Sequence, residues 1–238
     1  NVDLLARMKL DHAMRQALQQ GCFRLNYQPQ VHIPTGKVIG AEALIRWRDV
    51  EMGEVSPGRF IPVAEETGFI VAIGDWVMIE AVRQAAVWYG AGMKIPVSVN
   101  VSAPQFQQKG FVAKVASTLK AAGLPPEMLE LELTESILIG DGDSAFLLLR
   151  ELADLGIRLA IDDFGTGYSS LAYLKRFPIQ RLKIDKSFVD KLPEDESDVA
   201  ITNAVINLGH ALKLQVIAEG VETESQRAFL QSAGCDEF

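Results

Sequence analysis

The feature that most constrains the fold is the alternation of strand-like apolar runs with helix-like segments along the whole chain. Strands that alternate with helices form a mostly parallel sheet whose faces are covered by those helices. Three helix-like segments end in a glycine just before the next run, where a left-handed C′ residue often terminates a helix. These glycines are Gly123, Gly156 and Gly234.

The number of strand-like runs approaches the eight strands of a (β/α) barrel, and a chain of 238 residues that is 48% hydrophobic can bury a large core. We predict an α/β barrel, with a doubly wound open sheet as the structural alternative. Residues 1–20 predict an amphipathic helix that leads into the domain. The strand-like runs are FRLNYQPQVH, VIGAEALIRW, PVSVNVS, LELELTES, RLAIDDF, QRLKIDKSF and LQVIAEGVE.

Composition argues against several classes of protein. The net charge of −8 is opposite to that of a nucleic-acid-binding surface, so we expect no DNA partner. Cys22 and Cys235 lie far apart and form no C-x-x-C motif, which suits a reducing, cytoplasmic compartment. The most apolar stretch, FIVAIGDWVMIEAV, is interrupted by Asp75 and Glu80, so it predicts a buried helix and no membrane segment.

Six of the strand-like runs carry polar residues at or near their ends. In a barrel these ends converge on one face, which is where active sites lie. Any one of these residues is also typical of a strand end that meets solvent, but core strands seldom carry so many charges together. The residues are Glu42, Asn100, Glu132, Asp162 with Asp163, Lys183 with Asp185, and Glu219 with Glu222.

These side chains offer oxygen ligands, with no His or Cys among them, and such sets favour Mg²⁺, Mn²⁺ or Ca²⁺ over Zn²⁺. Asp162 and Asp163 repel each other, and two bound cations would stabilise them in a site suited to in-line displacement at phosphorus. Lys183 could orient a water or offset phosphate charge, or it could be an exposed strand-end lysine. Gly165 and Gly167 predict a flexible active-site loop after the aspartates.

Glu42 lies between two alanines in an otherwise apolar strand, so a partner is needed to offset the cost of burying its charge. One interpretation is a salt bridge to Arg46 or Arg48. The other is that Glu42 is a metal ligand.

The sequence resembles the EAL family of cyclic-di-GMP phosphodiesterases. The family tripeptide is present as Glu42-Ala43-Leu44, and the motifs YQP, FIPVAEETG, VNVS, ELTES, DDFGTGYSSL, LKIDKSF and AEGVE occur in the family's order. The resemblance covers the chain from about Phe23 onward. It implies an EAL domain at residues 21–238 with a modified TIM barrel that has one antiparallel strand. It also implies hydrolysis of cyclic di-GMP to linear 5′-pGpG with two Mg²⁺ or Mn²⁺ ions. From the all-oxygen ligand set we expect Ca²⁺ to inhibit, because its bonds are longer and its geometry is looser.

The resemblance implies roles at matched positions. The implied metal ligands are Glu42, Asn100, Glu132, Asp162 and Asp163. The residues implied at the attacking water are Lys183 and Glu219, the latter as the nearby acid or general base. The implied substrate contacts are Gln28 and Arg46. The residues implied to couple the site to a dimer interface are Glu135, Asp163, Phe164, Gly165, Thr166 and Gly167. Two further polar residues at the same face are Asp185 and Glu222.

The resemblance also implies a homodimer and an upstream sensor or diguanylate cyclase-like domain, in a parent protein that could be membrane-anchored. The family continues beyond the GCD of residues 234–236 with a Gln-Gly segment, a strand and a helix. We therefore expect a truncated barrel with an open sheet edge. Two other functions compete with the phosphodiesterase: a non-catalytic cyclic-di-GMP receptor and a metal-dependent TIM-barrel lyase or isomerase. The complete ligand set favours the enzyme over the receptor, and the ordered motifs argue against the lyase or isomerase.

Overall fold

The computed structural model describes residues 2–135, 137, 142–166 and 171–238. Within them the strands are β1 (Phe23–His32), β2 (Lys37–Asp49), β3 (Gly53–Val55), β4 (Val97–Val101), β5 (Leu129–Thr134), β6 (Arg158–Phe164), β7 (Arg181–Ile184) and β8 (Gln215–Ala218). The α-helices are α1 (Val2–Gln20), α2 (Pro57–Thr67), α3 (Ile70–Gly90), α4 (Ala103–Phe106), α5 (Phe111–Ala122), α6 (Gly142–Asp154), α7 (Leu171–Arg176), α8 (Glu196–Ala211) and α9 (Glu224–Ser232). Short 3₁₀ turns lie at Pro126–Met128 and Lys186–Phe188.

The strands form one curled sheet in the order β1, β2, β4, β5, β6, β7, β8. β1 pairs antiparallel with β2, and every later pair along this path is parallel. The prediction of an α/β fold of the modified TIM-barrel type, with one antiparallel strand, is confirmed. β3, a short strand antiparallel to the end of β2, was not predicted.

The two faces of each barrel strand differ, as β5 shows. Leu129, Leu131 and Leu133 are fully buried in the hydrophobic core, whereas the alternate residues Glu130 and Glu132 lie on the opposite face. Each buried leucine contributes roughly 1.5–3 kcal/mol of apolar burial. The barrel interior is therefore lined by charged side chains. The burial of apolar side chains on the other face offsets the free-energy cost of burying these charges.

β5 ends at Thr134, two residues before its predicted run does, and β7 and β8 each end four residues early. The run that contains β7 continues into a 3₁₀ turn, because the side chain of Asp185 accepts a hydrogen bond from the backbone of Ser187 and caps that turn. β8 stops at Ala218, and residues 219–223 form a loop. These loops leave the ends of β7 and β8 at one face of the barrel.

The predicted helix ends are confirmed, whereas one predicted helix start is wrong. Gly123, Gly156 and Gly234 all have left-handed backbones, with φ of +67°, +94° and +81°. The helix-like segment SAFLLLRELADL predicts an N-cap at Asp143 or Ser144, but α6 already begins at Gly142, so both residues lie inside its first turn.

The N-terminal helix forms as predicted. Leu10 and Met14 of α1 are buried in the core, whereas Leu4 and Met8 are exposed. The boundary between this helix and the domain at residue 20 stays a prediction. None of the helices in the described part of the chain has the length and apolar character needed to cross a bilayer.

The segment after α9 lies between β8 and β1. The amide of Val31 donates to the carbonyl of Phe238 at 2.7 Å, and the amide of Phe238 donates back at 3.0 Å. On the other side the amide of Ala218 donates to the carbonyl of Glu237 at 3.0 Å. The open edge that we expected between β8 and β1 is therefore partly filled by residues 236–238.

Candidate active site

Lys183 of β7 is fully buried, and its ammonium group lies at the centre of the polar residues that the barrel strands bring together. The interpretation of Lys183 as an exposed lysine is therefore wrong. Four carboxylates surround its Nζ: Glu219 Oε1 at 2.6 Å, Glu42 Oε2 at 3.3 Å, Asp162 Oδ1 at 3.5 Å, and Glu132. The net charge of this group of five is negative, so it can accept further cations.

One side chain from each of several strands builds this cluster. Asn100 of β4 donates from Nδ2 to Oε1 of Glu42 on β2 at 2.8 Å, which links two of the expected ligands. Glu42 therefore pairs with Asn100 and Lys183. Neither arginine named as its alternative partner forms that salt bridge among the described residues, and Arg46 donates to the carbonyl of Ile45 at 2.8 Å instead.

Burial strongly perturbs the titration of the innermost residues. Burial raises the pKa of Glu132 well above its usual range, and the charges of Glu42 and Asp162 raise it further, although Lys183 opposes them. Burial alone would lower the pKa of Lys183, but the surrounding carboxylates, Glu132 foremost, raise it well above the usual range. Lys183 therefore stays protonated and holds the carboxylates together.

A second acidic group lies beside the first. Burial, together with the charges of Asp162 and Asp185, raises the pKa of Asp163 to about 6. Burial and the charge of Asp162 raise the pKa of Glu219 to about 7, against the opposing effect of Lys183. The carboxylates of Asp162, Asp163 and Glu219 approach within 4.8 Å of one another.

This donor set fits divalent cations. The atoms are oxygens, and one buried oxygen of Glu132, Oε1, has no hydrogen-bond partner among the described residues. Carboxylate and amide oxygens are the ligands that Mg²⁺ and Mn²⁺ prefer. The two adjacent aspartates and Glu219 could hold a cation next to the one held by the inner carboxylates.

Two cavities adjoin the cluster and contain the predicted substrate contacts. A cavity of about 540 Å³ is lined by Gln28, Glu42, Lys183 and Glu219. A cavity of about 270 Å³ is lined by Arg46, Asn100, Asp162 and Asp163. Gln28 and Arg46 therefore lie on different sides of the acidic site.

The other predicted residues have different surroundings. Glu222 is exposed and forms an ion pair with Lys186 at 2.7 Å. Asp185 caps the 3₁₀ turn, and its carboxylate also shares a hydrogen bond with that of Asp163, so it borders the second acidic group. Glu135 is buried directly after β5, and neither of its carboxylate oxygens has a hydrogen-bond partner among the described residues. Phe164 is buried, Gly165 and Thr166 are exposed, and Gly167 lies outside the described residues.

Asp163 has a left-handed backbone with φ of +53°, which is uncommon for a residue other than glycine. Its carbonyl accepts a hydrogen bond from the hydroxyl of Thr166 at 2.7 Å. This turn follows the end of β6 at Phe164, one residue after the two aspartates.

Sequence reasoning missed a second polar layer beneath the first. Arg181 is buried, with Nη1 2.8 Å from Glu130 Oε1 and 3.0 Å from Gln30 Oε1, and Nη2 3.0 Å from Glu237 Oε2. Ser98 donates to Glu130 at 2.8 Å. These residues are spaced two positions before residues of the Lys183 cluster: Ser98 before Asn100, Glu130 before Glu132, and Arg181 before Lys183. Side chains two residues apart in a strand face the same side, so this spacing is the signal that could have revealed them.

Comparisons with known proteins agree with this architecture. The family model for the EAL domain matches residues 11–238. The bifunctional diguanylate cyclase/cyclic di-GMP phosphodiesterase MucR of Pseudomonas aeruginosa is 46% identical over 237 residues, which are 99% of this chain and 35% of that protein. Cyclic di-GMP phosphodiesterase NbdA of the same bacterium is 42% identical over 230 residues, which are 96% of this chain and 29% of that protein. The chain thus spans about a third of the length of these relatives.

Solved structures show the same fold. The structure described as PaMucR phosphodiesterase, c-di-GMP complex, has a TM-score of 0.93 at 46% identity and covers 96% of this chain and 93% of that chain. The FimX EAL domain from Pseudomonas aeruginosa bound to c-di-GMP has a TM-score of 0.86 at 29% identity and covers 96% of this chain and 92% of that chain. With a family model that matches from residue 11 to residue 238, the chain belongs to the EAL domain family.

Proposed function

We propose that this domain hydrolyses cyclic di-GMP to linear 5′-pGpG in bacterial second-messenger signalling, with two Mg²⁺ or Mn²⁺ ions. The observation that carries the proposal is the convergence of four carboxylates on the buried Lys183, with Asn100 and Asp163 beside them. The names of MucR and NbdA, which describe cyclic di-GMP phosphodiesterases, support the choice of substrate.

The proposed metal ligands are those with inward-facing oxygens. Bound there, the ions would polarise the scissile phosphodiester and lower the pKa of the attacking water. The first ion would be held by Glu42, Asn100, Glu132 and Asp162, and the second by Asp162 and Asp163.

Glu219 is the proposed acceptor of the proton from the attacking water. A base with a pKa of about 7 is well matched to neutral pH. As the water oxygen bonds to phosphorus, its proton passes to Glu219 and the bond from phosphorus to the 3′ oxygen breaks. The 3′ oxygen takes a proton from solvent, which leaves a 5′-phosphate at one end and a 3′-hydroxyl at the other.

Lys183 has two proposed tasks. Its ammonium lies 2.6 Å from Glu219, so it fixes the orientation of that carboxylate. Its positive charge also offsets the negative charge that builds up on the phosphate in the transition state. Gln28 and Arg46 are proposed to bind the substrate from the two adjoining cavities, Arg46 through its planar guanidinium.

The parent protein is proposed to be larger than this domain. The relatives named as a bifunctional diguanylate cyclase and as an oxygen sensor support a sensor or diguanylate cyclase-like domain upstream. The phosphodiesterase domain itself is proposed to work in the cytoplasm as a homodimer.

The deciding experiment is incubation of the chain with cyclic di-GMP and either Mg²⁺, Mn²⁺ or Ca²⁺, with the product identified by chromatography. We expect linear pGpG with Mg²⁺ or Mn²⁺ and inhibition by Ca²⁺, whose longer bonds and looser geometry misplace the water. Turnover that survives exhaustive chelation contradicts the metal mechanism. Tight binding without turnover under all three ions identifies a receptor instead.

A further inference from the structure

The loops that follow β7 and β8 are joined by one buried amide. Gln226 of α9 is only 5% exposed. Its Oε1 accepts hydrogen bonds from the backbone amides of Glu222 at 2.7 Å and Thr223 at 3.0 Å. Its Nε2 donates to the backbone carbonyls of Val189 at 3.2 Å and Asp190 at 3.3 Å. A single side chain therefore bonds to two loops that come from different strands.

Helix capping explains only half of these contacts. Thr223 and Gln226 form a capping box, in which the glutamine at N3 reaches back to the N-cap amide. The bonds to the carbonyls of Val189 and Asp190 are not part of that motif. A glutamate would cap the helix equally well but cannot donate to carbonyls, so the second half of the network requires an amide.

A second contact joins the same loops closer to the active site. Lys186 forms an ion pair with Glu222 at 2.7 Å. Its aliphatic stem lies against Gly220, where a Cβ would come within 2.5 Å of Lys186 Cγ and where φ is +68°. Gly220 directly follows Glu219, so the turn that carries Glu219 is packed against the β7 loop.

We infer that Gln226 is a positioning residue that keeps Glu219 beside Lys183 by holding the β8 loop against the β7 loop. The inference rests on the proposed function, in which Glu219 accepts the proton of the attacking water. Gln226 lines neither of the two cavities at the site, so it acts through the loops and not on the substrate.

The consequence is a specific kinetic signature. The smaller cavity, which contains Arg46, is lined by no residue of either loop. Loss of the Gln226 network should therefore displace Glu219 while leaving that part of the substrate site intact. Displacement of a catalytic group lowers kcat, whereas loss of ground-state contacts raises KM.

The test compares Gln226→Met with Gln231→Met. Methionine has a length similar to that of glutamine but cannot form the four hydrogen bonds. Gln231 lies on the same helix and is exposed, so its variant controls for the loss of an amide from α9. The measurements are kcat and KM for cyclic di-GMP with Mn²⁺, the thermal midpoint, and hydrogen exchange of peptides that cover residues 186–191 and 219–223.

We expect kcat of Gln226→Met to fall by on the order of 10- to 100-fold. KM should rise by a smaller factor than kcat falls, because the contacts around Arg46 in the smaller cavity are retained and only the larger cavity is lined by residues of the two loops. Exchange should become faster in the two loop peptides and stay unchanged in peptides from β4 and β5. Gln231→Met should match the original chain in all four measurements.

Three outcomes overturn the inference. The first is that Gln226→Met has the same kinetics as Gln231→Met, and the second is that exchange in the loop peptides is unchanged. The third is that kcat falls, KM rises and folded protein is lost to the same extent. Absence of turnover in the original chain defeats the proposed function instead. In that case the exchange measurement still decides whether Gln226 holds the two loops together.

Discussion

Glu42 accepts a hydrogen bond from Asn100 and lies 3.3 Å from Lys183, among carboxylates of the same charge. We expect Glu42→Gln to lower turnover by on the order of 100- to 1,000-fold if Glu42 is a ligand as proposed, because the amide keeps the shape but not the charge. Without metal, the thermal midpoint should stay level or rise, since repulsion is relieved. The rise on adding Mg²⁺ should shrink, since stabilisation by a ligand follows its affinity.

The matched control for Glu42→Gln is Glu54→Gln, because Glu54 is an exposed glutamate on β3 that pairs with Arg24. Its turnover should equal that of the original chain. A Glu42→Gln variant that melts lower and yet turns over normally per folded molecule ends the ligand assignment.

The two cysteines should differ sharply in reactivity. Burial raises the pKa of the Cys235 thiol to about 12, and its Sγ donates to the carbonyl of Val216 at 3.4 Å, whereas Cys22 is only partly buried. Because the thiolate is the reactive form, iodoacetamide at about pH 8 should label Cys22 and spare Cys235 in the folded chain. Mass spectrometry of digested protein checks this. Equal labelling of both residues before denaturation contradicts it.

At the scale of elements, β7 supplies one cation to each polar layer. Arg181→Met leaves Glu130 and Glu237 buried without their shared partner. Removal of one member of a buried ionic group typically costs about 3–5 kcal/mol, so we expect that decrease in the free energy of unfolding. Chemical denaturation measures it.

The control for Arg181→Met is Arg24→Met, which breaks an exposed salt bridge to Glu54 at 3.2 Å. Exposed pairs contribute about 0–1 kcal/mol, so this variant should be nearly as stable as the original chain. Equal stabilities for the two variants would show that the buried ionic layer contributes no more than a surface pair.

An element could be predicted where its local sequence pattern determines it, and could not where contacts with distant residues determine it. The alternation in LELELT predicts β5, and Glu132 stands out because it is close to the strand end. Glu130 does not stand out, because its partners Ser98 and Arg181 come from other strands, distant in the chain. Likewise KSF continues the apolar alternation of β7, and only the capping bond of Asp185 ends the strand there.

At the scale of the whole molecule, the alternation of runs predicted the barrel and the convergence of polar residues. It did not predict the layer of charge beneath the site or the filling of the gap between β8 and β1. The buried layer depends on Glu237, whose side chain pairs with Arg181, and the filling of the gap depends on Phe238, whose backbone pairs with Val31 near the opposite end of the chain. Local periodicity carries no information on such contacts.

The proposed homodimer is also a property of the whole molecule. Its expected interface lies near residues 163–171, so association should influence the acidic site next to it. We expect light scattering to give twice the mass of one chain at concentrations where turnover is measured. A monomer with full turnover at those concentrations contradicts the dimer.

The two backbone bonds between Val31 and Phe238 span nearly the whole chain. Contacts of such sequence separation cost the most loop-closure entropy, and the cost is recovered only after the intervening strands have paired. We therefore expect the final closure of the barrel to be a late folding event, before which the Arg181 layer is open to water. The amides of Val31 and Phe238 consequently report on the assembly of the entire barrel, more directly than any bond within a single hairpin.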